Sequence, residues 1–260
     1  MFRERYGPWA VIVGGSEGVG ASFARKLAKR GLNLVLLARK PETLAALAAE
    51  LRAETPVEVR TASIDVTAPD LRERVASLTD GLDVGLLIYN AGSVVPMSFL
   101  DAPLEDALQA LRLNPVGQVT LCHHFGRALR ARGRGGIILL GSLSGCAGAA
   151  GTAVYSGAKA FTQRFAEALW AALKPSGVDV LGLVIGATRT PFMERAGLPL
   201  DHPEMPASEP DDIAQLGLDQ LANGPICVPP HLEPTFQALG SMPRRTAAEV
   251  MTSAAESFNG

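Results

Sequence analysis

The sequence predicts an α/β fold, a doubly wound parallel sheet with helices on both faces, and three observations carry that prediction. Short apolar runs recur almost to the end of the chain, amphipathic helical patterns alternate with them, and the runs lack the polar alternation of strands that face water. Strands of that kind are buried on both faces, which alternating β-α units achieve by laying helices above and below a parallel sheet. With 260 residues and no internal repeat or low-complexity linker, one domain over residues 1–260 is the simplest organisation.

The elements follow in order. Run 10–13 leads into Gly14-Gly15-Ser16-Glu17-Gly18-Val19-Gly20 and then a helical pattern with Phe23, Leu27 and Ala28. Run 34–37 is followed by Pro41, favoured in the first turn of a helix, and by Leu44, Leu47, Ala48 and Leu51 at i, i+3, i+4 and i+7. After a weaker run, 57–64, Thr67-Ala-Pro-Asp70 resembles an acidic capping box ahead of Leu71, Val75 and Leu78. Run 84–88 precedes a long helix over about 104–131. Run 137–140 precedes a second over about 153–174, with Phe161, Phe165, Leu169 and Ala172 as its apolar face. Beyond run 178–184 the pattern loosens. Residues 190–210 are too rich in Pro, Gly, Met and Leu for a helix of any length. A helix fits 211–221, a short strand 225–228 and a final helix about 247–257, with weak signals over 229–243.

Composition narrows the function. A formal net charge of −2, a pI near 6.1 and 5% aromatics argue against a nucleic-acid partner. A mean hydropathy of +0.18 excludes a disordered chain. Cys122, Cys146 and Cys227 form no C-x-x-C pair, so neither a zinc site nor a disulfide framework is expected, and a reducing, cytoplasmic compartment fits. The longest uncharged stretch, 135–158, is broken by glycines and hydroxyls, so no membrane span is expected. His123-His124 would diverge on a helix rather than share a metal. His202-Pro-Glu204 has the H-x-E spacing of a deaminase, but no P-C-x-x-C follows. Cys146 has no neighbouring histidine to make a thiolate.

Three groups of residues carry chemistry. The glycine-rich turn between first strand and first helix offers unpaired N–H groups and a partial positive charge to a pyrophosphate, although its G-x-x-x-G-x-G spacing differs from G-x-G-x-x-G. Tyr155-Ser-Gly-Ala-Lys159 sets a phenol and an ammonium one helical turn apart; chance placement gives about 0.06 such pairs in a chain of this composition. The ammonium favours tyrosinate and so lowers the phenol pKa. Ser142 ends the run 137–140, and Tyr89-Asn90-Ala91-Gly92 ends the run 84–88, both at strand ends where open α/β sheets bind ligands.

Taken together, these residues resemble the classical short-chain dehydrogenase/reductase family, from Trp9 to about Val228. The resemblance rests on the glycine motif, Asn90-Ala91-Gly92, Asn114, Ser142, Tyr155-x-x-x-Lys159 and Gly186-x-x-x-Thr190, and it implies a Rossmann-type fold and a nicotinamide-dependent ketone–alcohol oxidoreductase. By that resemblance Ser142 polarises the substrate oxygen, Tyr155 transfers the proton, and Lys159 binds the nicotinamide ribose and lowers the tyrosine pKa. Asn114 holds a water in the proton relay; Pro115 independently predicts a kink there that would free a backbone carbonyl for that water. Gly14, Ser16, Glu17, Gly18 and Val19 would cradle the cofactor phosphates. Asp65 and Val66 would meet adenine, Asn90, Ala91 and Gly92 would pack on the cofactor, and Gly186, Thr188 and Thr190 would meet the nicotinamide carboxamide and phosphates.

The chain departs from the family pattern at Val13, usually threonine, at Tyr89, often a first asparagine, and at Ile185, usually proline. None of these removes a catalytic group. The opening Tyr6-Gly-Pro-Trp9 and Glu17 look like the hydroxysteroid dehydrogenase and long-chain ketoacyl reductase branch. The N-terminal membrane segment common in that branch is not expected here. Cofactor choice follows from the end of the second strand. An acid there selects NAD, whereas Ala38-Arg39-Lys40 offers room and two positive charges to a 2′-phosphate, so NADP(H) is expected over NAD(H) despite Glu17. A substrate lid over about 190–210, including the apolar Pro191-Phe192-Met193, suggests a hydrophobic carbonyl or alcohol substrate. A homodimer or homotetramer built on the two long helices is implied, with Phe161, Phe165 and Trp170 serving either its interface or the sheet-facing core, and a tail over about 229–260 covers either a neighbour or the substrate mouth. Two other readings keep the fold: a catalytically idle, dinucleotide-binding regulator or scaffold, and a dehydratase or epimerase.

Overall fold

Strands that are apolar along their whole length need cover on both sides, and the computed structural model, which describes residues 1–92, 99–195, 200 and 207–259, supplies it. Among the described residues seven parallel strands form one sheet: β1 (Trp9–Val13), β2 (Asn33–Ala38), β3 (Val59–Ser63), β4 (Val84–Tyr89), β5 (Gly135–Ser142), β6 (Val178–Ile185) and β7 (Ile226–Cys227), in the order β3-β2-β1-β4-β5-β6-β7. This is the Rossmann-type order, with the chain reversing direction across the sheet between β1 and β4. β1 and β4 are buried at every residue, whereas the edge strand β3 alternates, as a strand covered on one side should.

Helices α2 (Gly18–Lys29), α3 (Pro41–Glu54) and α9 (Pro210–Gln220) cover one face through a core of Phe23, Leu27, Leu36, Leu44, Leu183 and Leu218. α4 (Leu71–Leu78), α6 (Gly117–Arg132) and α7 (Ala153–Leu173) cover the other through Val11, Leu37, Val75, Leu121, Phe125 and Ala166. No helix among the described residues is long and apolar enough to cross a membrane.

Several sequence expectations are corrected. The helix expected over 104–131 is interrupted: α5 (Leu104–Leu111) passes into a π-turn at Arg112–Val116 before α6 resumes. Pro115 has no N–H for the carbonyl of Leu111 and its ring crowds that carbonyl, so the ladder shifts register. The fully buried face of α7 is Ser156, Ala158, Lys159, Thr162, Gln163 and Ala166; of the apolar stripe expected there, Phe165 and Leu169 pack half-buried against the core, while Phe161 and Ala172 are exposed. Polar side chains can face inward here because each has a partner: Thr162 donates to Gln118 Oε1 at 3.0 Å, and Lys159 and Gln163 bond to strand carbonyls. Asp70 is the N-cap of α4 without a side-chain cap bond; Asp65 instead accepts from the N–H and hydroxyl of Thr67. Residues 191–195 do form one short helix, α8 (Pro191–Arg195), because Thr190 Oγ1 accepts from Met193 N at 3.3 Å. The weakly patterned stretch after Pro229 holds α10 (Glu233–Ser241), and the last helix, α11 (Arg244–Asn259), starts earlier than expected. A short helix, α1 (Phe2–Tyr6), also precedes the first strand.

Leu36 lies at the centre of β2 with no exposed surface. Leu36→Ala should lower the free energy of urea unfolding by about 2–5 kcal/mol; a loss under about 1 kcal/mol would contradict this placement of the core.

Candidate active site

The reversal between β1 and β4 opens a crevice beyond the carboxyl ends of the strands, and a cleft of about 290 Å³ occupies it. After Val13 the chain turns at Gly14, where φ is +77°. The N–H groups of Gly14 and Gly15 donate to Leu37 O at 2.7 and 3.2 Å, bending the loop over the end of β2. A Cβ on Gly14 would stand 2.8 Å from Ala91 N, and one on Gly20 would overlap the Gly14 carbonyl, so the helix can start this close to the sheet only with glycine. Asn90 fixes the loop from the neighbouring strand, its Nδ2 donating to Gly14 O at 2.9 Å, while the N–H groups of Asn90 and Ala91 donate to Val13 O.

The opposite wall is built on α7 and the end of β5. Lys159 is buried and its Nζ donates to Leu140 O at 2.9 Å. One turn on, buried Gln163 donates to Ser142 O at 2.9 Å and lies 3.8 Å from Cys146 Sγ. Ser142 Oγ accepts from Ser144 N at 3.2 Å, so the hydroxyl is oriented by the turn that follows it. Asn114 is wholly buried in the π-turn. Its Nδ2 donates to Ala110 O at 3.0 Å and its Oδ1 has no partner among the described residues, whereas the backbone carbonyl expected to be freed by the kink accepts from Gly117 N. A Cβ on Gly92 would lie 3.2 Å from that Oδ1 and 3.4 Å from Lys159 Nζ, so the orphaned oxygen and the ammonium share one small space beside Gly92.

Burial dominates the electrostatics. It pushes Lys159 down to about 8, and it pushes Tyr155 up against an opposing hydrogen-bonding interaction with Ser142. The lowered phenol expected from the Tyr-Lys spacing is absent from this pair alone. The ammonium sits 5.6 Å from the centre of the Tyr155 ring and spends its hydrogen bond on Leu140.

Nearly all the residues singled out from the sequence border this cleft: Gly14, Ser16, Glu17, Gly18 and Val19 from the loop, Arg39 and Lys40 beside Ala38, Val66, and Asn90, Ala91 and Gly92 from β4 onward. Ser142, Tyr155 and Lys159 line the other side with Gly186, Thr188 and Thr190. Asp65 stands apart, held in its bond to Thr67. Arg39 and Lys40 are exposed at the rim. Glu17 does not confront them as a free charge, because Arg195 on α8 pairs with it at 2.5 Å. Of the lid expected over 190–210, residues 196–199 and 201–206 lie outside the described residues; Phe192 and Met193 of α8 reach the cleft. His202-Pro-Glu204 also lies outside them. Among the described residues no group of three or more metal-binding side chains occurs. Sequence reasoning missed Gln163 and Arg195, and it named Tyr89 without the bond it makes to Leu113 O; for Gln163 the signal was its i+4 spacing from Lys159.

A cradle of loop N–H groups, an orphaned acceptor and a row of small residues at the strand ends fit a nicotinamide dinucleotide. Comparison with known proteins agrees. The family model described as short chain dehydrogenase matches residues 8–199. The chain is 34% identical over 191 residues to a 7beta-hydroxysteroid dehydrogenase of Collinsella aerofaciens, covering 74% of this chain and 73% of that protein. It is 35% identical over 226 residues to a very-long-chain 3-oxoacyl-CoA reductase of Podospora anserina, covering 84% and 66%. Among solved structures, one described for insights into 7beta-hydroxysteroid dehydrogenase stereoselectivity superposes with a TM-score of 0.89 at 28% identity, covering 96% and 98% of the two chains. A short-chain dehydrogenase from Sphingobium yanoikuyae in complex with NADPH does so with a TM-score of 0.79 at 32% identity, covering 92% and 97%. The chain belongs to the short-chain dehydrogenase/reductase family. It is an oxidoreductase that acts on CH–OH groups and uses a nicotinamide dinucleotide.

The depressed Lys159 pKa has a measurable sign. A free lysine keeps its proton to about pH 10.4, so between about pH 8 and that value the unfolded chain holds a proton that the folded chain has released. The cost of the buried charge is therefore fully present below pH 8 and fades as pH rises. In urea titrations of the cofactor-free protein, wild type should gain about 1–3 kcal/mol relative to Lys159→Met between pH 7 and 9.5; parallel curves would contradict a buried, depressed lysine.

Proposed function

We propose that this protein is an NADP(H)-dependent oxidoreductase that interconverts a hydrophobic ketone and a secondary alcohol. The observation that carries the reading is the convergence of Ser142, Tyr155 and Lys159 on one wall of the cleft whose other wall is the glycine loop. The bound dinucleotide supplies the hydride for the carbonyl carbon. Ser142 donates a hydrogen bond to the carbonyl oxygen and polarises it, and Tyr155 gives that oxygen its proton. Lys159 holds the cofactor ribose and keeps a positive charge beside the phenolate left behind. The buried Oδ1 of Asn114, facing Lys159, holds the water that returns the proton.

The preference for NADP(H) rests on Arg39 and Lys40 at the cleft rim, on the room left by Ala38, and on the neutralisation of Glu17 by Arg195. A neighbour solved with NADPH supports it. Phe192 and Met193 make the substrate end apolar, and the hydroxysteroid and 3-oxoacyl-CoA chemistry of the relatives points to bulky or long apolar ketones. The exposed Leu104, Leu108, Leu111, Val116, Val119 and Phe161 of α5, the π-turn, α6 and α7 would be covered by a second copy in a homodimer or homotetramer. Three unpaired cysteines fit a reducing cytoplasm.

The test is a panel of a 7-oxosteroid, a long-chain 3-oxoacyl-CoA and a bulky diaryl ketone, followed by absorbance of the reduced nicotinamide. Net NADPH oxidation with at least one is expected. Binding without turnover would favour a regulator, and product without net oxidation a dehydratase or epimerase. Arg39→Ala should weaken NADPH binding about ten- to a hundredfold and leave NADH binding nearly unchanged; equal losses would overturn the cofactor assignment.

A further inference from the structure

β4 ends at Tyr89 and Asn90 follows it; successive side chains leave a strand on opposite sides, and these two brace different walls of the cleft. Asn90 holds the glycine loop. Tyr89 has no exposed surface, and its hydroxyl donates to Leu113 O at 2.6 Å. Leu113 belongs to the π-turn and precedes Asn114. In a regular α-helix the Leu113 carbonyl would accept from Gly117 N; here that N–H turns to the carbonyls of Arg112 and Asn114. Tyr89 supplies a donor where the shifted ladder has taken one away. The fit is steric as well. A Cβ on Gly117 would overlap the Tyr89 hydroxyl, so the phenol fits only beneath a glycine.

We infer that Tyr89 is a positioning residue for the proton relay. Its hydroxyl fixes the π-turn that aims Asn114 Oδ1 at the space shared with Lys159. The inference rests on the relay role given to Asn114 above. Without the Tyr89 hydrogen bond the turn loses its brace at Leu113, and Asn114 loses its aim while the glycine loop, held separately by Asn90, keeps its own.

Tyr89→Phe keeps the ring and removes only the donor. In the cofactor-free protein, hydrogen exchange should quicken several-fold in peptides covering 112–118 and stay unchanged in those covering 14–20. With whichever ketone of the panel is turned over, kcat should fall about tenfold, while the NADPH Kd stays within about twofold. Tyr89→Phe added to Asn114→Ala should then cost less than about twofold, because its effect passes through Asn114. Gly117→Ala, which displaces the hydroxyl by crowding it, should show the same split. Equal losses with and without Asn114, a parallel loss of NADPH affinity, or unaltered exchange over 112–118 would each overturn the inference. An impaired Asn114→Ala beside an unaffected Tyr89→Phe would overturn it alone. An Asn114→Ala enzyme with full kcat would overturn the relay itself and this inference with it.

Discussion

A buried ammonium must be satisfied where it lies, and the hydrogen bond from Lys159 to Leu140 O is where α7 and the end of β5 are locked together. That bond fixes which face of α7 turns inward, and only part of the helix's apolar stripe, Phe165 and Leu169, packs on the core beside it. The register of Tyr155, Lys159 and Gln163 along that face then follows from the spacing of one side chain per turn. Gln163 repeats the device one turn on by holding Ser142 O, so strand and helix are joined at two successive points and the Ser142 hydroxyl is carried to the same wall as the phenol. The charge is costly to bury, which explains why the lysine pKa is depressed and why an anionic neighbour, a phenolate or a cofactor phosphate, would be welcome beside it.

The cleft's other components are held from β4 and from the lid. Asn90 and Tyr89, adjacent in sequence, secure the glycine loop and the π-turn respectively, so one strand end sets the distance between the glycine loop and Asn114. Across the mouth, Glu17 of the loop pairs with Arg195 of α8, and a Cβ on Gly18 would stand 2.8 Å from Thr190 Cγ2; loop and lid meet there in both charge and shape. The pair also accounts for an acid in a loop meant for phosphates. Its charge is directed toward a cation and not toward the ligand.

The sheet was legible in the sequence because buried parallel strands write themselves as unbroken apolar runs, and Val84–Tyr89 or Val178–Ile185 leave little else to infer. The site was legible for a related reason: Ser142, Tyr155, Lys159 and Asn90 stand at strand ends or one helical turn apart, and local spacing fixes local geometry. The orientation of α7 was not legible. Apolar residues usually mark the core face, and here satisfied polar groups share it, leaving Phe161 exposed and stacked on the half-buried Phe165 with ring centroids 5.2 Å apart. Pairs distant in the chain, such as Tyr89 with Leu113 and Glu17 with Arg195, leave no periodic trace. The π-turn was half legible: Pro115 announced a kink at Asn114 but not the donor that steadies it.

The phenol on this wall is the group proposed to move the proton. Single-turnover reduction of an accepted ketone, at saturating NADPH, should slow by at least about a hundredfold in Tyr155→Phe while cofactor affinity is retained. A variant that keeps more than half of the wild-type rate would contradict it.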